Sequence, residues 1–413
     1  MAMKSRWMHG MRGWASPFAL VCSVGLLGRL SYEMMRSPVT PLYAKHIGAP
    51  VQLIGLIVGA VTITGIAVKM PAGALSDVFG VRRMMLAGAV VKAGGPFLYL
   101  LAFVWPVLLV VRFVHGLATA LYSPPASAFV AKTYPESRGR KLGIYNAAEN
   151  VGIVLGPVAG GVVLALTVSN FPATFLIAGG IGVAALLVMT RVPRSIGTAT
   201  ADPAKTLRAV VAEAASGVRQ IVADPRVRVV SLVEAGMWVG IGSVQAYLPI
   251  FALTIGLRVW QIGVVAGAQG VVSIVGRPLI GRFSDSLGSR TPFIVAGSLI
   301  CIGALIGIPY ASGFVELIII AAVFGAGTGI VTPATTALIG DLAAGKSFGA
   351  AMGVFGSLWD AGHAAGPIIF GYLLVAVGYR TAWLILAIVM AAALSWYSVD
   401  RARSRRQPAR GGQ

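Results

Sequence analysis

Gly73-Ala-Leu-Ser-Asp77-Val-Phe-Gly80-Val-Arg82-Arg83 closes one long apolar run, and Gly281-Arg-Phe-Ser-Asp285-Ser-Leu-Gly288 closes another, with Arg290 just beyond. The two stretches share a glycine, a Ser-Asp pair and a second glycine at matching places, roughly 210 residues apart. A second set keeps that offset: Gly152, Gly156 and Pro157 recur as Gly362, Gly366 and Pro367. The first set follows the second apolar run of a six-run unit, and the second set lies within the fifth. The chain thus reads as one unit written twice, and six-plus-six repetition of this kind implies a path between two bundles.

Outward from those stretches the apolar runs continue through the whole sequence. Of 413 residues, 57% are hydrophobic and only 11% charged, against roughly a quarter charged in soluble proteins. The mean hydropathy of +0.84 is too high for one interior to hide, so lipid must solvate much of the surface. Runs of about 20 residues suit α-helices crossing roughly 30 Å of hydrocarbon. The first six are expected near 16–40, 51–72, 84–104, 107–130, 141–168 and 172–190. The second six are expected near 229–252, 260–281, 292–311, 315–340, 348–376 and 380–398. The fold class is all-α: twelve transmembrane helices in two pseudo-symmetric bundles, 16–190 and 229–398. Residues 191–228 form a polar linker whose middle reads as an amphipathic surface helix. Residues 1–15 and 399–413 flank the bundles as a cytoplasmic N-terminus and a basic tail.

The formal charge of +20 does not point to nucleic acid. The basic residues fall in alternate short loops, with no dense stripe interleaved with aromatics. One side holds Arg82, Arg83, Lys132, Arg138, Arg140, Lys141 and the arginines of linker and tail, while the other offers little beyond Lys45, Arg258 and Arg380. That bias puts both termini in the cytoplasm. Lys4, Arg6 and Arg12 before an apolar run look like the start of a signal peptide. The run continues into Arg29 and Glu33, so a retained first helix is expected. Cys22 and Cys301 sit in apolar spans without metal-ligand spacing. Compact loops suit a bacterial cytoplasmic membrane, with the monomer as the working unit.

The stretch Gly73–Arg83 resembles the signature of the major facilitator superfamily between helices two and three. Its glycines permit a tight cytoplasmic turn, and its acid and basic residues can latch that turn to neighbouring helix ends. Val78 and Val81 stand where the family often has Arg or Lys. Gly152-Ile-Val-Leu-Gly156-Pro157-Val-Ala-Gly160-Gly161 in span five matches the pattern that marks antiporters of the superfamily, drug–proton antiporters above all. Small residues there let backbones approach closely, and Pro157 bends the span. Arg112-Phe-Val-His115-Gly116-Leu-Ala-Thr119-Ala120 resembles a third signature, in which an Arg in helix four assists proton transfer. Arg112 also lies near one end of its span, so snorkelling to the headgroups is the alternative.

Arg29, Glu33 and Arg36 share one face of span one, which should line a polar cavity, with Glu33 the leading proton carrier. The alternative is an Arg29–Glu33 pair that only steadies the fold. Pro38 and Pro41 break that helix near its outer end. Glu149 and Asn150 precede the antiporter pattern by a turn. Asp360, the repeat partner of Asn150, precedes His363 by three residues, and the pair can share a proton or form a structural hydrogen bond. Tyr32, Trp238, Gln245, Tyr247 and Trp359 are cavity candidates, and Glu234 reads as interfacial. No ATP motif, zinc cluster or nucleophile elbow is present, so neither an enzyme nor a primary pump is expected. The resemblance implies export of drug-like small molecules by proton antiport, with the proton as coupling ion and no other cofactor. The alternatives are proton-coupled import of a metabolite or organic anion, and, remotely, a non-transporting sensor.

Overall fold

The computed structural model describes residues 16–193, 208–209, 212, 225–286, 289–342 and 348–406. Nearly all of the expected linker helix, together with residues 1–15, Gly288 and 407–413, lies outside them. In chain order the helices are α1 Pro17–Met34, α2 Thr40–His46, α3 Val51–Phe79, α4 Val81–Leu98, α5 Trp105–Thr133, α6 Arg138–Leu166 and α7 Phe171–Thr190. The second half contributes α8 Pro225–Thr254, α9 Val259–Ser286, α10 Thr291–Gly307, α11 Phe314–Leu342 and α12 Phe348–Arg406. Among the described residues eleven helical segments are long and apolar enough to cross a membrane, the last of them spanning 48 residues. At 1.5 Å per residue that segment would run about 70 Å, far more than one crossing needs. It breaks at Gly378, whose φ of 75° and ψ of 170° fit no helix. Two crossings result, twelve in all, and both described ends return to the same face, called here the terminal face.

Local chemistry sets the helix ends. Ser16 accepts from the Ala19 amide at 3.2 Å and Pro17 opens α1, while Asn170 accepts from Ala173 at 3.0 Å at the head of α7. The stretch Gly73–Gly80 departs from the expected loop: α3 continues through Phe79, and the turn is confined to Gly80 at φ 88°. Nothing in Ala-Leu-Ser-Asp-Val-Phe stops a helix, so the chain reverses only where a glycine can take a positive φ. Asp77 and Asp285 stand in helical backbone, and their side chains, like the close surroundings of Gly73 and Gly281, lie outside the description. Arg82 ties the start of α4 to the end of α7, its Nε donating to Val192 O at 2.8 Å and its Nη2 to Thr190 O at 3.2 Å. A cation there satisfies carbonyls that the helix itself leaves open. Arg290, the repeat partner of Arg82, reaches Asp341 at 3.5 Å. Arg83 is exposed.

Each half packs in the same way. In the first, α6 lies on α1; a Cβ on Gly152 would meet Leu26 O at 2.8 Å, and one on Gly156 would meet the Glu33 Cβ at 2.4 Å. In the second, the early part of α12 lies on α8; a Cβ on Gly362 would meet Ala235 O at 2.3 Å, and one on Gly366 would meet Val239 O at 2.3 Å. Only glycine permits these backbone approaches. The halves meet through α3 against α12 and α6 against α9.

Candidate functional site

At the face away from the termini the halves touch backbone to backbone. A Cβ on Gly55 of α3 would fall 1.8 Å from Pro367 O, and one on Gly161 of α6 only 2.4 Å from Gly263 Cα of α9. Tyr247 crosses the same seam: its hydroxyl accepts from the Gly55 amide at 2.9 Å and donates to Val51 O at 3.0 Å. The sequence suggests Tyr247 as a cavity residue; the structure puts it in this distal seal. Gly160 closes on Met34 O within the first half.

Inward of the seal lies a cavity with about 100 Å³ of room for the centres of water-sized molecules, enough for several waters. Glu33, Arg36 and Pro157 line it from the first half, and Gln245, Leu248 and Gln269 from the second. Span one is broken here. Ser37 takes extended backbone (φ −143°, ψ 134°) between α1 and α2, its hydroxyl donates to Gln245 O at 3.0 Å, and Thr40 Oγ1 donates to Met35 O. The break leaves Arg36 at the cavity edge.

The three charges of span one form a series, with Glu33 buried and Arg29 and Arg36 half-buried. Arg29 Nε stands 3.3 Å and Arg36 Nη1 3.6 Å from Glu33 Oε1. Arg36 then crosses between the halves, its Nη2 lying 3.0 Å from His363 Nδ1 and 2.9 Å from Nε2. When Nδ1 accepts from Arg36, Nε2–H donates to Gln245 Oε1 at 3.1 Å; Thr62 Oγ1 also lies 3.1 Å from Nδ1. Buried charges of this kind cost several kcal/mol unless matched and hydrogen-bonded. The series meets the first demand by alternating signs, while Arg29 Nε and Glu33 Oε1 stay without a hydrogen bond among the described residues.

Asp360 does not join His363. Its carboxylate takes Lys69 Nζ of α3 at 2.6 Å, so each residue of the expected pair reaches separately across to the first half. The i, i+3 spacing sets a common face, and the opposing helix supplies the partners. Asn150 is half-buried. Glu149 Oε1 is buried without a hydrogen-bond partner among the described residues. Arg112 is fully buried rather than snorkelling. It donates to Ile57 O at 3.0 Å, Val58 O at 2.9 Å and Tyr99 Oη at 3.1 Å, so its partners are α3 carbonyls and a phenol. Tyr32 packs edge-on to His115, centroids 4.9 Å apart, inside the first half.

Glu234, expected at the interface, is wholly buried. It accepts from Trp238 Nε1 at 2.9 Å and Thr335 Oγ1 at 2.7 Å. Trp238 stacks on Trp359 at 4.3 Å and meets His363 edge-on at 5.4 Å, forming an aromatic wall beside the crossing. Two lysines that sequence reasoning passes over belong here too, Lys69 at the inter-half bridge and Lys92 inside the first bundle. Each was flagged only by being a lone charge in an otherwise apolar run. Among the described residues no group of His, Cys, Asp and Glu is arranged to hold a metal.

Residues 21–314, and again 255–413, match the model of the Major Facilitator Superfamily. The chain belongs to that family. It is a secondary transporter that binds small molecules within a membrane, and not an enzyme. An uncharacterized MFS-type transporter of Methanocaldococcus jannaschii is 23% identical over 398 residues, covering 94% of this chain and 97% of that protein. The multidrug resistance protein MdtG of Salmonella arizonae is 25% identical over 381 residues, covering 89% and 91%. A bacterial homolog of the human lysosomal transporter Spinster, solved inward-facing and unoccupied, superposes with a TM-score of 0.80 at 16% identity, over 96% of this chain and 98% of that one.

Proposed function

We propose that this transporter exports small amphipathic molecules, neutral or cationic, in exchange for protons across a bacterial cytoplasmic membrane. The carrying observation is the charge series Arg29–Glu33–Arg36, whose Glu33 and Arg36 line the cavity and which extends to His363 of the other half. The arginine on the cavity wall, Arg36, is already engaged by Glu33 at 3.6 Å and by His363 at 2.9 Å, and Glu33 itself puts a carboxylate on that wall, which favours a neutral or cationic ligand over an anion. The rest of the wall offers Gln245, Gln269 and apolar surface such as Leu248. A change in the charge of the series alters the hold of Arg36 on His363, and so biases one packing of the halves over the other. The resemblance of span five to the antiporter pattern and the name of the relative MdtG support export. Basic loops on the terminal face, from Arg82 to Lys141 and Arg290, support a cytoplasmic placement of the termini. One chain holds both halves of the path, so the proposed unit is the monomer.

The test is transport by purified protein in proteoliposomes, with ethidium, labelled sugars and labelled organic anions under proton gradients of either sign. Export coupled to proton entry requires uphill movement of a compound opposite to the proton, lost in Glu33→Gln. Movement in the same direction as the proton would instead make the protein an importer, with the cationic series serving an organic anion.

A further inference from the structure

Lys92 of α4 is 1% exposed, and its Nζ has no hydrogen-bond partner among the described residues. The ammonium stands 4.0 Å from the centroid of the Tyr122 ring, and its stem packs on Gly28, where a Cβ would come within 3.0 Å of Lys92 Cδ. The charged groups facing it are Glu149 from α6 and Arg29 and Glu33 from α1. Its other titratable neighbours are Tyr122 and His115 of α5, and α7 meets it at Gly182. Tyr145 and Glu149 are side-chain partners of one another, and Arg29 Nε has Glu33 Oε1 at 3.3 Å. Lys92 Nζ, buried and left with only a ring face, is the group there that calls for water. This chamber lies beside Gly25, eight residues nearer the terminal face than Glu33, or about 12 Å along α1.

The charged groups of the chamber, Lys92 and Arg29 against Glu33 and Glu149, balance when all four are ionised. Arg29 keeps its charge at any accessible pH. A buried charge that loses its counterpart is strongly unfavourable, and lysine is the one cation of the two that can shed its charge by losing a proton. Resting on the proton-exchange reading above, we propose that Lys92, and not a carboxylate, carries the coupling proton. An N–H bond of the ammonium breaks, its electron pair stays on Nζ, and a chamber water takes the proton toward the terminal face. A cationic ligand in the cavity draws Glu33 away from Arg29, which leaves more positive charge facing Lys92 and drives the release. Ligand and proton thereby compete, as exchange demands.

The test compares Lys92→Arg, which stays charged, with Lys92→Gln, which stays neutral, in full-length protein in proteoliposomes with ethidium as probe. Both variants should lose gradient-driven ethidium accumulation by about tenfold or more while keeping ethidium exchange in the absence of a gradient. In detergent, ethidium binding should release a proton from wild type and none from Lys92→Gln. Retained accumulation in Lys92→Arg would show that only the positive charge matters and would overturn the proposal. So would proton release from Lys92→Gln equal to wild type, a readout that needs no translocation. Failure of the wild type itself to move any panel compound against a gradient would count against the exchange reading, not against the choice of Lys92.

Discussion

Adding one methyl group at Gly55 should push the transporter out of the conformation described here without damaging either bundle. The three nearest atoms to a Cβ at this position all belong to the other half: Pro367 O at 1.8 Å, Pro367 C at 2.4 Å and Tyr247 Oη at 2.9 Å. Restoring an ordinary 3.4 Å contact to Pro367 O means parting α3 and α12 by about 1.6 Å. Because backbone is involved, no side chain can swing away to relieve it. Overpacking of this kind costs about 1–3 kcal/mol, and here the cost falls only on the state with the distal seal closed. In the opposite state alanine improves α3 by up to about 1 kcal/mol over glycine. At a net 2 kcal/mol the ratio of distal-open to distal-closed molecules rises about thirtyfold.

Spin labels at Lys45→Cys and Val377→Cys, exposed positions at the distal end of α2 and just before the Gly378 break of α12 in opposite halves, report that ratio directly. Cys22 and Cys301 are the only native thiols, so both are replaced by serine in the labelled background. Gly55→Ala should shift the distance distribution toward its longer component, with little change in the melting temperature. An unchanged distribution in Gly55→Ala would refute the reasoning, because the seal would then yield at no cost. A fall in melting temperature without a shift would do the same, since the damage would lie within a bundle.

Other expectations follow from the same contacts. Charge reversal at Lys69 or Asp360 alone should weaken the bridge between α3 and α12, and the double swap should restore it. A double-mutant cycle on a conformational equilibrium should give about 0.5–1 kcal/mol of coupling, since the Lys69 side chain is 40% exposed. Arg112→Ala empties a buried site and removes hydrogen bonds to two α3 carbonyls and the Tyr99 hydroxyl. It should lower stability by about 3 kcal/mol or more, read as a lower melting temperature in detergent, with Arg112→Lys no substitute for the fork.

The architecture was legible because lipid is an exacting solvent. A segment in hydrocarbon must satisfy every backbone group internally, so twelve apolar runs of bilayer length had to be helices. The glycines of span five and their repeat partners gave the seams, since close backbone approach leaves a compositional mark. The site was read less completely, for a consistent reason. Spacing tells which side chains share a helix face, but not which helix stands opposite. Asp360 and His363 do share a face, yet Lys69 and Arg36 are what they meet. Arg112 sits near a span end in sequence, yet α3 carbonyls hold it inside. Lys69 and Lys92 were each a lone charge in an apolar run, and the carboxylates they face, Asp360 of α12 and Glu149 of α6, stand on other helices.

The repeat also shows how one scaffold holds two chemistries. Gly156 on α6 and Gly366 on α12 are equivalent, and each presses into the helix that opens its half. Against Gly156 that helix presents Glu33; against Gly366 it presents Val239. Two turns earlier along each chain, Glu149 of the first half corresponds to Trp359 of the second, which stacks on Trp238. The seam is therefore symmetric in shape and opposite in polarity. Small residues fix how closely the helices approach, and that spacing is indifferent to whether the facing side chain is charged or apolar. The symmetry required to rock two bundles against each other is thus kept by glycines. The asymmetry that the proposed exchange needs, an ion on one side of the path and an amphipathic molecule on the other, would be carried by the residues packed against them.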